Sequence, residues 1–173
     1  MSIVELVWPF FLPVVAVIAG IIHVKVKDLH GEEAVGTFLM WQIVIGLGIG
    51  YVYAAVGHLF AADRVAASIG WPAGSPFQRE VGIWDASMGI IALLCLKIRD
   101  TGFWTATILG IGLFSVSAGL GHLYEMAVHG DYALNNAGPV MWLDLLYPLY
   151  LLALLWLLNR KRDEASAGHI PPA

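Results

Sequence analysis

The chain has 173 residues, of which 59% are hydrophobic and only 13% charged, and its mean hydropathy is +0.76. An average soluble domain carries about 25% charged residues, so a solvated shell cannot be built here, and the same apolarity excludes disorder. A net charge of −4 without a basic block excludes a nucleic-acid partner; the single cysteine, Cys95, excludes an internal disulfide and every Cys-rich metal motif.

Several apolar runs exceed the roughly 18 residues with which a helix crosses a bilayer. The chain is therefore expected to be an all-α integral membrane protein with five transmembrane helices. The first runs from about Leu6 to Val24. It lacks a basic stretch before it and a small-residue cleavage site after it, so it is expected to be a retained helix and not a removed signal peptide. The second spans about Thr37 to Ala62 and the third about Pro76 to Leu96. Ser75-Pro76-Phe77-Gln78 opens the third with an N-cap serine, a proline at the first helical position and the Gln of a capping box. The fourth covers about Phe103 to Val128, and the fifth, opened by Gly138-Pro139, about Pro139 to Leu158. Trp8, Trp41, Trp71, Trp104 and Trp142 fall near the expected span ends, as interfacial aromatics do. Asp163–Ala173 is expected to be a flexible tail.

Five spans put two loops and the C-terminus on one side, with Lys25, Lys27, Lys97, Arg99, Arg160, Lys161 and Arg162; the other side has only Arg64 and Arg79. Seven against two makes the basic side cytoplasmic. The expected location is the bacterial inner membrane, with a periplasmic N-terminus and a cytoplasmic C-terminus.

The second half repeats the first at an offset of 64. Gly57-His58-Leu59-Phe60 matches Gly121-His122-Leu123-Tyr124, Gly46 and Gly48 match Gly110 and Gly112, and Glu80 matches Asp144. Each unit is a helix hairpin, so the repeats are parallel and related by an axis along the membrane normal. The organisation expected is a first helix and loop over 1–36, repeat units over 37–100 and 101–162, and the tail over 163–173. The second to fifth helices then form a pseudo-twofold four-helix bundle.

Gly46, Gly50, Ala54 and His58 are spaced by four, and Gly110, Phe114, Ala118 and His122 share that register. Small residues at such spacing mark close helix approach, so both histidines are expected to point into the bundle. Glu80 and Asp144 lie about one turn into their helices, at the height of the histidines. Glu125 follows His122 by three residues, on the same face; Asp85 lies about one and a half turns deeper than Glu80 and has no acidic counterpart in the repeat. A central ionised side chain costs at least about 2.5–3.5 kcal/mol in a membrane, so such a layer must be paired. Three readings fit: a His–carboxylate clasp that fixes helix register, a site for a divalent metal (Fe, Zn or Mn), and a proton relay or small-molecule pocket. The metal set would be His58, His122, Glu80, Asp144 and Glu125. Di-iron bundles pair two lone acids with two Glu-x-x-His motifs; here His122-x-x-Glu125 is reversed and Ala61 takes the place of the other acid, so a mononuclear site fits better. His23, His30 and His129 lie near helix ends, as interfacial residues. Trp71-Pro72-Ala73-Gly74 and Asn135-Asn136-Ala137-Gly138 are turns.

The stretch from Gly57 to Ala66, with Ile69-Gly70-Trp71-Pro72 and Ser75-Pro76-Phe77-Gln78-Arg79-Glu80, resembles a family of small bacterial polytopic membrane proteins of unknown function. Gly121-His122-Leu123-Tyr124-Glu125 and Asn136-Ala137-Gly138 resemble that family's second motif. The resemblance covers the second to fifth helices and implies a helical membrane protein with no assigned activity. A looser likeness, through Gly70-x-Pro72, a following acid and Gly89, is to DoxX-like four-helix membrane proteins, some of which are linked to quinone-dependent redox complexes.

The chain shows no Walker, Rossmann or Ser-His-Asp signature, so an enzymatic activity is neither indicated nor excluded. The leading expectation is an intramembrane His/carboxylate cluster near the periplasmic side that handles a metal cation or protons. The alternatives are a non-catalytic accessory subunit of a larger membrane complex, with the cluster as a structural clasp, and a small transporter. Membrane lipids are the expected surroundings, with a homo-oligomer or a membrane complex as the expected assembly.

Overall fold

The computed structural model describes residues 3–167, and every regular element among them is helical. Short α1 (Ile3–Val7) leads through a 3-10 turn at Trp8–Phe10, with Pro9 inside it, into α2 (Phe11–Val26). A long rod follows: α3 (Gly31–Trp41), a π-helical segment (Gln42–Ile49) and α4 (Gly50–Phe60). Next come α5 (Ala62–Ile69), α6 (Phe77–Leu94) and α7 (Thr101–Tyr124), the last extended by a π turn at Glu125–His129. Short α8 (Leu134–Ala137) precedes α9 (Pro139–Ala167).

Four stretches are long and apolar enough to cross a membrane: Trp8–Val26, Gly31–Phe60, Thr101–His129 and Leu134–Ala167. The predicted third span falls short of that apolarity because Arg79, Glu80 and Asp85 lie within the 18 residues of α6. The predicted tail is helical as far as Ala167; its remaining residues lie outside the described ones.

Bilayer interiors are as apolar as leucine, so helices there are held by close packing and not by exclusion from water. Glycines supply that closeness. A methyl at Gly89 would lie 2.8 Å from Val52 and 3.0 Å from the Gly48 carbonyl, which seats α6 on the Gly31–Phe60 rod. A methyl at Gly119 would lie 2.7 Å from Leu145, and one at Gly112 3.1 Å from Pro148, which seats α7 on α9. The expected stripes at four-residue spacing are not the packing faces. Gly46 faces Tyr147 of α9 and Gly50 faces Leu12 of α2, while Gly110 meets nothing. The π segment widens each turn and rotates these positions apart. On α7 the buried face is Ile108, Gly112, Ser115, Gly119 and His122, set by contact with α9.

The two ends of the bundle differ. The end carrying the Lys/Arg-rich termini is filled by Leu39, Met40, Ile43, Ile108, Leu151 and Leu155. There Arg162 binds Glu32 at 2.5 Å and donates to the Thr101 hydroxyl at 2.7 Å, tying α9 to α3 and α7. Trp41 and Trp104, expected at an interface, are instead used internally. The Trp41 indole donates to His23 Nδ1 (3.0 Å) and the buried Trp104 indole to the Ile98 carbonyl (2.8 Å). At the opposite end Asn135 Nδ2 donates to Ser68 Oγ (2.9 Å), and Asp131 occupies the space beside Gly70, whose left-handed φ of 88° ends α5.

Candidate functional site

His58 lies in the last turn of α4 and His122 in the last turn of α7, both at the end of the bundle opposite the basic residues. Their surroundings are alike. His58 Nδ1 is 2.6 Å from Gln78 Oε1, and its Nε2 lies 3.9 Å from Asp85 Oδ2. His122 Nδ1 is 2.7 Å from Asn136 Oδ1, and its Nε2 lies 3.9 Å from Asp144 Oδ2. An amide oxygen only accepts, so each Nδ1 donates to its amide and each Nε2 faces a carboxylate. The distance of 3.9 Å is too long for a direct hydrogen bond. It is short enough for a modest side-chain rotation to close it.

These groups are sheltered. The Asp85 side chain is 4% exposed, that of His122 10% and that of Asp144 25%. Asn136 is fully buried, and its Nδ2 donates to the Asp131 carbonyl at 2.7 Å, which fixes the amide that fixes the ring. The Tyr51 hydroxyl meets the Ser115 hydroxyl at 2.5 Å, joining α4 to α7 through two residues 64 apart in sequence.

Of the five residues expected to form one cluster, His58, His122 and Asp144 hold places in this layer. Glu80 does not: its side chain is 67% exposed and pairs with Arg79 at 3.5 Å. Glu125 turns to His129 (2.7 Å) within the π turn, away from the ring of His122. Asp85 stands where Glu80 was expected. The cause is loop length: Asp85 follows His58 by 27 residues, but Asp144 follows His122 by 22. The ungapped register therefore aligns the wrong acid once the loop containing α5 is crossed.

Sequence alone puts Gln78 in a capping box and Asn136 in a turn, and so does not reveal the two amides. A signal existed: Gln78 and Asp85 are seven residues apart, two helical turns on one face, and both are buried on α6. Asn136 and Asp144 are separated by the bend at Gly138, which hides the relation.

Each half thus offers one imidazole nitrogen and one carboxylate. Among the described residues no three His, Cys, Asp or Glu side chains gather into a group suited to a metal ion. In both halves the two groups stand 3.9 Å apart.

Deeper in the bundle, Tyr147 on α9, one turn beyond Asp144, reaches the fully buried Gln42. Its hydroxyl lies 3.1 Å from Gln42 Oε1 and 3.2 Å from the Gln42 carbonyl, and Gly46 leaves room for the ring. Among the described residues Gln42 Nε2 has no hydrogen-bond partner.

These features define a helical bundle with membrane-length apolar helices and a doubled amide–histidine–aspartate layer at one end. A family model described as a family of unknown function (DUF6790) matches residues 7–164, and the chain belongs to that family. No curated protein and no solved structure matches the chain.

Proposed function

We propose that the chain is a five-helix protein of the bacterial inner membrane that takes up and releases protons at two His–Asp pairs near its periplasmic end. One observation carries the reading. Each histidine is locked by an amide oxygen at Nδ1, which leaves Nε2 as the nitrogen that exchanges a proton, 3.9 Å from a sheltered carboxyl. Such a pair holds a proton on either partner and passes it with little motion.

The membrane topology is part of the proposal. The 18 residues of α6 cover about 27 Å at 1.5 Å per residue. Its buried residues Gln78, Gly82, Asp85, Gly89 and Ala92 form one inward face, so the carboxyl of Asp85 points away from lipid. Counting α6 as a crossing puts seven Lys and Arg on one side and two on the other. The like settings of His58 and His122 favour descent from a duplicated hairpin. The apolar core at the cytoplasmic end favours binding over passage through the membrane.

Infrared difference spectra of the full chain in proteoliposomes, recorded from about pH 4 to 9, test the reading. A titrating carboxyl band is expected in the wild type and should be lost from Asp85→Asn and from Asp144→Asn, each at its own position. A wild type without such a band, or a band that survives both substitutions, sinks the proposal. Stoichiometric metal in the purified protein, lost from His58→Ala and His122→Ala, would replace it with a cation site.

A further inference from the structure

The basic end of the bundle carries a second feature, unrelated to the histidine layer. A groove of about 380 Å³ opens between α2, α3 and α9. Val24 and Lys25 of α2, Ala34 and Phe38 of α3, and Leu154 and Leu157 of α9 line it. Its depth follows from the sequence. Val24 and Lys25 are in the last turn of α2, Ala34 is in the first turn of α3, and Leu157 comes just before Arg160 and Lys161. The groove therefore begins at the level of the charged residues and runs inward along apolar helix faces.

Its walls are apolar, so water gains no hydrogen bonds there and would not fill it. In a bilayer the groove is filled by hydrocarbon. A lysine stands at its mouth. Lys25 is exposed there, and no carboxylate lies within ion-pair distance of it among the described residues. Lys161 is four residues beyond Leu157, on the same face of α9, where it pairs with Glu164 at 2.8 Å. Gly31, one turn before Ala34 and Val35, has no side chain, and nothing lies within 4 Å of where one would start. The entrance is open, and Lys25 is the charged residue among those that line the groove, with Glu32 and Glu33 in the turn before Ala34.

We propose that this groove is a binding site for one anionic phospholipid, with an acyl chain lying against Ala34, Phe38, Leu154 and Leu157 and the phosphate beside Lys25. A basic pocket between helix ends at the cytoplasmic surface has the chemistry that holds such a headgroup. The site fixes α2 against α3 and α9, and α2 otherwise has few buried side chains: only Ala16 and Gly20 are buried along it.

Native mass spectrometry of the full chain, released from nanodiscs of mixed phosphatidylglycerol and phosphatidylcholine, tests the site. One phosphatidylglycerol per chain should be retained. Lys25→Gln should reduce the preference for phosphatidylglycerol about fivefold, the effect of one lysine near the surface, while a lipid is still retained. Ala34→Phe, which fills the groove, should abolish retention of both lipids; Leu154→Trp serves if the first variant does not fold. Retention unchanged by a filled groove overturns the proposal, as does equal retention of the two lipids by the wild type. Protection of the chain against heat by inorganic phosphate as strong as that by phosphatidylglycerol also overturns it, because the acyl chain would then be irrelevant. None of these outcomes bears on the carboxyl titration at Asp85 and Asp144, so the two proposals fail separately.

Discussion

The amides beside the histidines are the residues on which the layer turns. Asn136 serves three groups: its oxygen takes the His122 Nδ1 proton, and its NH2 donates to the Asp131 carbonyl and, at 3.5 Å, to the His122 carbonyl. Asn136→Ala leaves a buried ring N–H and a loop carbonyl without partners, each at a cost of about 1–3 kcal/mol. Gln78→Ala removes one such bond, to the less buried His58. Thermal unfolding in detergent should show the larger loss for Asn136→Ala; the reverse order would mean that Asn136 does not hold the ring. Gln42 is the opposite case. Its buried NH2 has no partner among the described residues, and Tyr147 can still donate to the residue's backbone carbonyl when the side chain is changed. Gln42→Met, close in shape, should be neutral or stabilising by up to about 1 kcal/mol. A clear loss in the same unfolding assay would show that the amide is satisfied.

At the scale of elements, the π segment explains why regular spacing misled. Four-residue steps keep a face in an α-helix, but Gln42–Ile49 turns more slowly, so Gly46 and Gly50 look toward different neighbours. A π turn holds an extra residue, and π segments gather at functional sites. Deleting one residue inside the segment should let it relax to α-helix without rotating α4. Deletion of Ile49, which is exposed, should therefore preserve the His58–Gln78 bond. Deletion of Val56, equally exposed but within regular α4, should swing His58 off the layer. Imidazole NMR shifts report the difference; similar spectra for the two deletions would show that the segment holds no spare residue. The same contrast shows what was legible in sequence. Helix existence followed from apolar runs and helix starts such as Ser75-Pro76, where the Ser75 hydroxyl accepts from the Phe77 N–H at 3.3 Å. Helix faces did not, because packing selects them.

For the whole molecule, topology rests on α6. If α6 crosses, Ala73 lies on the opposite side from Ile98. Single-cysteine variants Ala73→Cys, Ile98→Cys, Tyr132→Cys and Asp163→Cys occupy exposed positions, and the native Cys95 is fully buried. An impermeant thiol reagent added outside spheroplasts should label Ala73→Cys and Tyr132→Cys only. Labelling of Ala73→Cys and Ile98→Cys from the same side would show that α6 re-enters and does not cross. The two ends of the molecule are built for different surroundings. One is closed by an apolar core and clasped by Arg162, Glu32 and Thr101; the other gathers the titratable groups.

The sequence by itself determined the helical class, the membrane-length apolar stretches, the family resemblance and the pair of histidines, because composition, run length and short motifs are local properties. Only the tertiary structure decided which acids face those histidines and that two amides hold them. Partners in a bundle depend on loop length, on helix bends and on the π segment's slower turn. These set the rotation and height of each helix, and no spacing along the chain records them. Glu80 and Asp85, five residues apart on one helix, end in water and in the protein interior for that reason.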